Sequence, residues 1–450
     1  MKICIVVVDC LRPDHLGCYG YRKNTSPRID KIAAGCIKCA EVYAQSNWTY
    51  PSVYSMLTGR YPTVFNVNWF DQKINSAFKV LPTQLADMGF NTSIFSNFKV
   101  LLNERGFCGH FSDVQDVRID RNAFNAFEQW LHQRDNSFLF FHIGEYVHEP
   151  YFAPTDLVHI FFENTNKTDL MNNSMLLRDL TSRDSTGNTI RKIIGNINKG
   201  LQQLSTAEVD YLLACYDAGI YYMDEIVAKL YEMLKKCGED YLFILTADHG
   251  QAFMEHGYFG HGLSLFNEVI KVPLIIDYGQ RYHGRIDTGL QLMDLYPTIL
   301  ECLGVKSDPD IDGTSFWTGL AGQKIPEKYI LSEGFPNVSI VNGRHKLIST
   351  YGHYWNFRSV YRQFMQHSRT ASWLRLWYSY LQRFRKAQLF NLETDPGENI
   401  NIARGQKEIY HQLHQSLYGL MQSLLRKSLP AESIYLDKEI EEQLEKLGYL

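Results

Sequence analysis

Short uninterrupted apolar runs recur along the chain, each bounded by polar or turn-forming residues. Residues 3–8, 91–96, 137–143, 241–246 and 272–277 have this form, which is that of strands buried on both faces. Between them the apolar positions fall at helical spacing. The clearest case runs over residues 208–236. There Leu212, Leu213, Tyr216, Ile220, Val227, Leu230 and Leu234 share one side, and Ser205 with Glu208 forms a capping box at the start. Strands alternating with helices predict an α/β fold, a mostly parallel central sheet flanked by helices. After about residue 320 the pattern changes to short strands at 328–332, 339–341 and 345–349 and a closing helix at 408–425. The expected organisation is a main domain over 1–320 and a smaller C-terminal α+β subdomain over 321–450. Residues 163–204, rich in Asn, Thr, Ser and Asp, read as a surface excursion.

In parallel sheets the working residues sit just past the carboxyl ends of the strands. Asp9 follows the first run, Asn97 the second and Asp248-His249 the fourth, while His148 lies five residues beyond the third. One such residue would more simply cap a helix; several at one edge point to an active site. Asp9, Asp248 and His249 supply two carboxylates and an imidazole. That donor set suits one divalent metal, Zn or Mn ahead of Ca or Mg. Thr49 precedes a helix that Pro51 can open and Gly59 with Pro62 can end. A hydroxyl at a helix start, beside a divalent metal, can ionise and attack phosphorus or sulfur. Read on that segment alone, simple capping is the better account. Cys10 could be a soft metal ligand, but packing is the preferred reading. Cys36 and Cys39 have redox-motif spacing, yet they enter a strand and read as filler. A second metal would need a further set such as Asp217, His256 and His261, which the mid-helix position of Asp217 argues against.

Composition narrows the picture. Among 450 residues, 45% are hydrophobic and 21% charged, as in a globular protein, and the net charge of -4 argues against general nucleic-acid binding. Nine scattered cysteines, an odd number, suit a reducing compartment. The run at 3–8 is too short for a signal-peptide core, and no apolar stretch is long enough to span a bilayer. A cytoplasmic protein is expected. Residues 353–390 carry no Asp or Glu, and Arg358, Arg362, Arg369, Arg375, Arg383, Arg385 and Lys386 alternate with Trp355, Phe357, Trp373, Trp377, Tyr380 and Phe384. This insert can lie on an anionic membrane surface as a peripheral contact or pack on the protein body. The first option would make lipid-linked substrates attractive.

Several motifs together resemble the sulfatase family of the alkaline phosphatase superfamily. Asp9-Cys-Leu-Arg-Pro-Asp-His-Leu-Gly17-Cys-Tyr-Gly20 looks like its opening segment, and Leu57-Thr-Gly-Arg-Tyr-Pro62 like its nucleophile helix. Asp248-His-Gly250, then Glu255-His-Gly-Tyr-Phe-Gly-His-Gly262 and Val272-Pro-Leu-Ile-Ile276, match its second metal-binding segment. Gly343-Arg-His-Lys-Leu-Ile348, the segment from Leu389 to Glu398 and the ending from Leu444 to Leu450 resemble its C-terminal part. The resemblance implies an alkaline phosphatase/sulfatase-like fold, a sulfatase-like catalytic domain, and a metal-bound nucleophile that takes the transferring group covalently before water releases it.

The departures are informative. Where the family encodes the Cys or Ser of a C/S-x-P-S-R motif, oxidised to formylglycine, this chain has Thr49-Tyr-Pro-Ser52-Val53. Threonine carries a methyl on its β-carbon, so the same oxidation cannot yield an aldehyde. Cys10 replaces the second aspartate of the usual pair, and His249 stands where many members have Asn. Thr49 as nucleophile, with Asp9, Asp248 and His249 as metal ligands and Thr49 joining them, resembles the superfamily's phosphodiesterases and phosphoryl-group transferases. The expectation is a phosphate ester in preference to a sulfate ester, glycan- or lipid-linked. Transfer to a glycan or lipid, and glycan binding without catalysis, are the alternatives. His148, in His148-Glu-Pro-Tyr151, matches the family histidine that contacts the ester, and His261 is the candidate general acid. Asn97 and Lys99 fall at substrate-contacting positions. Arg12 is a candidate substrate contact or, with Asp14, a brace for the first loop.

Overall fold

The computed structural model describes the chain apart from residues 68–71, 99–100, 104–105, 118–120, 134–135, 152, 163–169, 172, 183–186, 239, 335–336, 351–386 and 434–450. Its central sheet comprises β1 (Lys2–Val8), β2 (Ile37–Cys39), β3 (Asn91–Ser96), β4 (Asp113–Asp116), β5 (Ser137–Ile143), β6 (Tyr241–Thr246), β7 (Leu274–Tyr278) and β8 (Gly284–Ile286). Their spatial order is β8-β2-β7-β6-β1-β5-β3-β4. Every neighbouring pair is parallel except those of β7, which runs antiparallel to β6 and β2. The mostly parallel α/β expectation is met, for a legible reason. β1, β5 and β6 are apolar almost throughout and buried along their length, as strands covered by helices on both faces must be. Apart from Ser137, the polar exception in β5 is His142, and it faces the site described below.

The long helix is Thr206–Lys235, with the Ser205–Glu208 capping box formed. Residues 163–204 depart from expectation. Helices Met175–Thr181 and Gly187–Asn198 occupy much of that span, and Leu177, Leu180, Ile190, Ile193 and Ile197 are buried. Those positions are three or four apart, so a narrow apolar stripe sat within a polar composition. The second of these helices also serves the site. Asn198 accepts from Phe259 N at 2.8 Å and donates to Phe259 O at 2.9 Å, clamping the loop that carries His261.

Towards the C-terminus, β9 (Ile330–Gly334), β10 (Asn337–Asn342), β11 (His345–Thr350) and β12 (Gln388–Asn391) form an antiparallel sheet. Helix Lys407–Lys427 covers it through Leu413, Leu417, Met421 and Leu424. Of the basic aromatic insert expected at 353–390, residues 353–386 lie outside the described residues and 388–390 belong to β12. No helix among the described residues is long and apolar enough to cross a membrane.

Several contacts fasten this sheet to the main domain, two of them through buried charged groups. Lys346 Nζ pairs with Glu398 at 2.7 Å, both side chains being buried, and donates to Asn267 Oδ1 at 2.9 Å. His256 stacks on Phe266, with Nδ1 2.8 Å from Glu268 Oε1 and Nε2 3.1 Å from Gly397 O. Both ring nitrogens face acceptors, so the imidazolium is the form that satisfies them. Burial opposes that charge, but the hydrogen bond and carboxylate of Glu268, with Glu398, raise the pKa. A raised folded-state pKa gives stability that is complete below the unfolded value of about 6.5 and is lost as pH rises through the folded value. Thermal unfolding followed from pH 5.5 to pH 8.5 is expected to show that decline. His256→Gln should flatten it, removing about 1.5–3 kcal/mol at the acid end. An unchanged profile in the variant would refute the linkage.

Candidate active site

The carboxyl ends of β1, β5 and β6 deliver their polar residues to one place. Asp9 N bonds to Ile143 O at 2.9 Å, which continues the β1–β5 ladder by one residue and sets Asp9 beside His142. The chain then turns through Cys10 at φ 63, a left-handed conformation that costs a non-glycine residue energy. Tyr216, from the long helix, holds that turn: its hydroxyl donates to Cys10 O at 2.7 Å and accepts from Arg12 N at 2.9 Å. Asp248 and His249 follow β6. Gly250 is required beyond them, because a Cβ there would lie 2.2 Å from Glu268 O.

Thr49 is the first residue of helix Thr49–Thr58, which Gly59 ends at φ 66. Trp48, not Thr49, holds the N-cap position, and the Trp48 side chain makes no capping hydrogen bond. Instead Thr49 Oγ1 lies 3.2 Å from His249 Nε2. Ser52, one turn on, donates to Asp248 O at 2.6 Å and ties the helix to the loop. The capping alternative for Thr49 is thereby set aside on geometry.

Around His249 Nε2 stand Asp248 Oδ2 at 3.4 Å, Asp9 Oδ1 at 3.6 Å and Thr49 Oγ1 at 3.2 Å. Ligand bonds of about 2.0–2.2 Å in a tetrahedron give ligand–ligand edges of about 3.3–3.6 Å. The three edges from His249 Nε2 lie close to that spacing. Asp9 Oδ1 and Asp248 Oδ2 are buried without a hydrogen-bond partner among the described residues, a costly arrangement that a cation would relieve. His249 Nδ1 lies 2.9 Å from Gly250 O. Donating its proton there leaves Nε2 with the lone pair, the usual second contact of a ligating histidine. The residues present therefore fit one divalent cation. The electrostatics agree. Burial and the charge of Asp248 raise the pKa of Asp9, while Asp248 is held low, against its own burial, by His249 and His142.

His142 was not foreseen. Its Nε2 is 3.5 Å from Asp9 Oδ2 and 3.9 Å from Asp248 Oδ2, and its other nitrogen is 3.3 Å from Ser96 Oγ on β3. The available signal was a histidine in an otherwise apolar, buried strand.

On the substrate side, the rings of His148 and His261 lie 4.9 Å apart, centroid to centroid. Two residues missed from sequence link them. Gln251 donates to Glu149 Oε2 at 2.7 Å, so its Oε1 accepts from His261 Nδ1 at 2.8 Å. Glu149 Oε2 is 3.8 Å from Nδ1 of both histidines. Burial would raise Glu149, but His148 and His261 lower it, and Glu149 in turn raises His148 against burial. His261 goes the other way: burial, reinforced by His249 and His148, takes it down to about 3. The two histidines thus differ: Glu149 favours the charged form of His148, and burial disfavours that of His261.

The remaining expectations divide. Arg12 is spent on Asp14 at 2.7 Å, on Glu255 and on Gln251 O at 2.9 Å, which corrects it from substrate contact to loop brace. Asn97 Oδ1 accepts from Gly144 N at 3.1 Å and fixes the end of β5. Lys99 lies outside the described residues. Asp217 is occupied by His15, Tyr21 and Lys23 at 2.7–2.9 Å, and no His256 or His261 contact joins it among the described residues. Cys10 Sγ, read as packing, lies 3.8 Å from His249 Nδ1, 3.7 Å from His261 Nδ1 and 3.5 Å from Gln251 Oε1. Cys36 and Cys39 are buried, free thiols.

A family model described as Sulfatase matches residues 2–305, and one for the C-terminal part of N-sulphoglucosamine sulphohydrolase matches 254–423. Arylsulfatase K of Mus musculus is 27% identical over 244 residues, which are 53% of this chain and 38% of that protein. The chain thus aligns with well under half the length of that relative. N-acetylglucosamine-6-O-sulfatase of Bacteroides thetaiotaomicron is 21% identical over 389 residues, 69% of each chain. The crystal structure of a phosphonate monoester hydrolase from Agrobacterium radiobacter superposes with a TM-score of 0.66 at 16% identity, covering 97% of this chain and 98% of the other. At that identity the likeness speaks for the fold.

Proposed function

The chain belongs to the sulfatase family, and from that premise we propose that it is a metal-dependent hydrolase that cleaves a phosphate ester through a covalent intermediate on Thr49. The observation that carries this reading is Thr49 Oγ1 placed 3.2 Å from His249 Nε2, the nitrogen that Asp248 Oδ2 and Asp9 Oδ1 approach at 3.4 and 3.6 Å. A divalent cation held by Asp9, Asp248 and His249 would lower the pKa of the Thr49 hydroxyl and offset charge on the ester oxygens. Thr49 Oγ attacks phosphorus in line, the phosphorus–oxygen bond to the alcohol breaks, and that oxygen leaves with a proton. Water then attacks phosphothreonine, releases phosphate and restores the hydroxyl. His148 lines the ester side, where its raised pKa suits it to holding the proton or the anionic oxygens.

A β-branched nucleophile supports phosphate over sulfate, since formylglycine cannot form from it. Sulfate hydrolysis is the second reading, favoured by the relatives named as sulfatases. One of these is named for a glucosamine ester, and a glycan-linked ester is the substrate class proposed. Turnover of aryl phosphate monoesters, aryl phosphate diesters and aryl sulfates by the zinc- or manganese-loaded chain tests the reading. A phosphate ester should be the fastest. A faster sulfate would transfer the proposal to sulfuryl chemistry, and no turnover with metal bound would favour glycan binding without catalysis.

A further inference from the structure

The face of the C-terminal sheet that looks at the main domain changes character along its length. At one end Ile330, Val341 and Ile348 pack with Tyr43, Leu265 and Phe266. Toward the other end of β9 and β10 the same face carries Ser332, Gly334, Asn337 and Ser339, because side chains alternate along a strand. That end is tied to the segment leading to the nucleophile. Ser332 Oγ donates to Ala44 O at 2.7 Å, and Glu333 N to Gln45 O at 2.9 Å. The polar residues therefore meet Asn47, two places before Thr49. A Cβ on Gly334 would lie 2.5 Å from Asn47 Cγ, so only glycine admits the Asn47 amide there. Asn337 is the cross-strand partner of Gly334, and its side chain stands beside that contact. Asn47 Nδ2 donates to Ser264 O at 3.0 Å, which brings Ser264 into the group.

The three residues share one property. Asn47 Oδ1, Ser264 Oγ and both polar atoms of the Asn337 side chain are buried without a hydrogen-bond partner among the described residues. Asn337 is 1% exposed. Packed proteins rarely leave such groups unpaired, and an apolar residue of the same shape would serve packing better. Amides and a hydroxyl offer donors and acceptors together, and none of the three is charged. A carbohydrate hydroxyl, itself donor and acceptor, pairs with all of them, whereas an anion would find no cation in the set.

The position suits the alcohol part of an ester. Trp48 is extended, at φ -156 and ψ 159, so Asn47 and Thr49 project to the same side, about 6–7 Å apart. Asn47 O also accepts from Gly262 N at 2.8 Å, next to His261. Residues 261–263 are only partly buried, which leaves the group an approach from the side of the substrate histidines.

We propose that Asn47, Ser264 and Asn337 form a neutral subsite that binds hydroxyl groups of the sugar carrying the ester. The inference rests on the glycan-linked reading of the site and adds the residues that select the sugar.

Calorimetric binding tests this, with the zinc-loaded full chain carrying Thr49→Ala so that no ligand is turned over. The ligands are glucosamine 6-phosphate and glucosamine 6-sulfate, each set against the phenyl ester of the same acid. The sugar ester of the preferred acid is expected to bind more tightly than its phenyl counterpart. Adding Asn337→Leu, which keeps the size and removes the amide, should reduce that preference about 10-fold, the contribution of one hydrogen bond. Ser264→Ala should act in the same direction, and it decides alone if the first variant fails to fold. Removing an orphaned amide should leave the unfolding midpoint at or above that of the parent, which separates a lost contact from misfolding. A preference unchanged in both variants, or no tighter binding of either sugar ester by the parent, would overturn the subsite. The covalent role of Thr49 is read separately, by phosphorylation of its peptide during wild-type turnover, and stands or fails without it.

Discussion

Thr49→Ala is expected to lower turnover of the preferred phosphate ester on the order of 10^4-fold or more, as removal of a covalent nucleophile does. The expectation comes from position. Trp48, not Thr49, holds the N-cap position, so loss of the Thr49 hydroxyl should leave the helix start intact. Ser52 still ties that helix to Asp248 O. Folding and metal binding should be nearly preserved, since Asp9, Asp248 and His249 remain. The fall should appear in kcat and kcat/KM alike, because the lost interaction exists only along the reaction path. Thr49→Ser keeps the oxygen and removes one methyl, so it should retain far more activity than alanine. Mass spectrometry of protein quenched during turnover should find a phosphoryl group on the peptide containing Thr49. Undiminished turnover in Thr49→Ala would refute the covalent mechanism.

Asp248→Asn is expected to weaken metal affinity by more than about 100-fold, since loss of an outer partner alone costs 10- to 100-fold. The substitution keeps shape. Asp248 Oδ1 accepts from His249 N at 2.9 Å, and an amide oxygen can do the same. What disappears is the charge at Oδ2, which faces His249 Nε2 at 3.4 Å. In the metal-free protein the Asp248 carboxylate is held low by His249 and His142 against its own burial, so the variant loses that attraction and should unfold below the wild-type temperature. Added zinc, worth about 2.7 kcal/mol at 100 times Kd, should raise the wild-type midpoint and leave the variant nearly unmoved. Equal zinc-induced shifts in the two proteins would remove Asp248 from the metal site.

A threonine at position 49 closes the formylglycine route, and it is a residue by which this chain departs from the family motifs. The fold that carries it is shared with proteins named for sulfate and for phosphonate esters.

By itself the sequence determined β1, β3, β5 and β6, the long helix with its capping box, and the identities of Asp9, Thr49, Asp248 and His249. Those features are local. An apolar run, a helical stripe, or a polar residue at a strand end is legible because the backbone repeats every two or 3.6 residues. The stripe within residues 163–204 was equally local but hidden under polar composition. Only the tertiary structure decided what met what. His142 looked like one polar residue in an apolar strand until the parallel pairing of β1 and β5 set it beside Asp9. Arg12 has no choice of partner until Glu255 and Gln251 fold over it. Gln251 and Glu149 carry no motif, yet they orient both substrate-side histidines. Side-chain pairing across 100 residues or more leaves no periodic trace in a chain, and a proton's position on His261 follows from burial that packing alone creates.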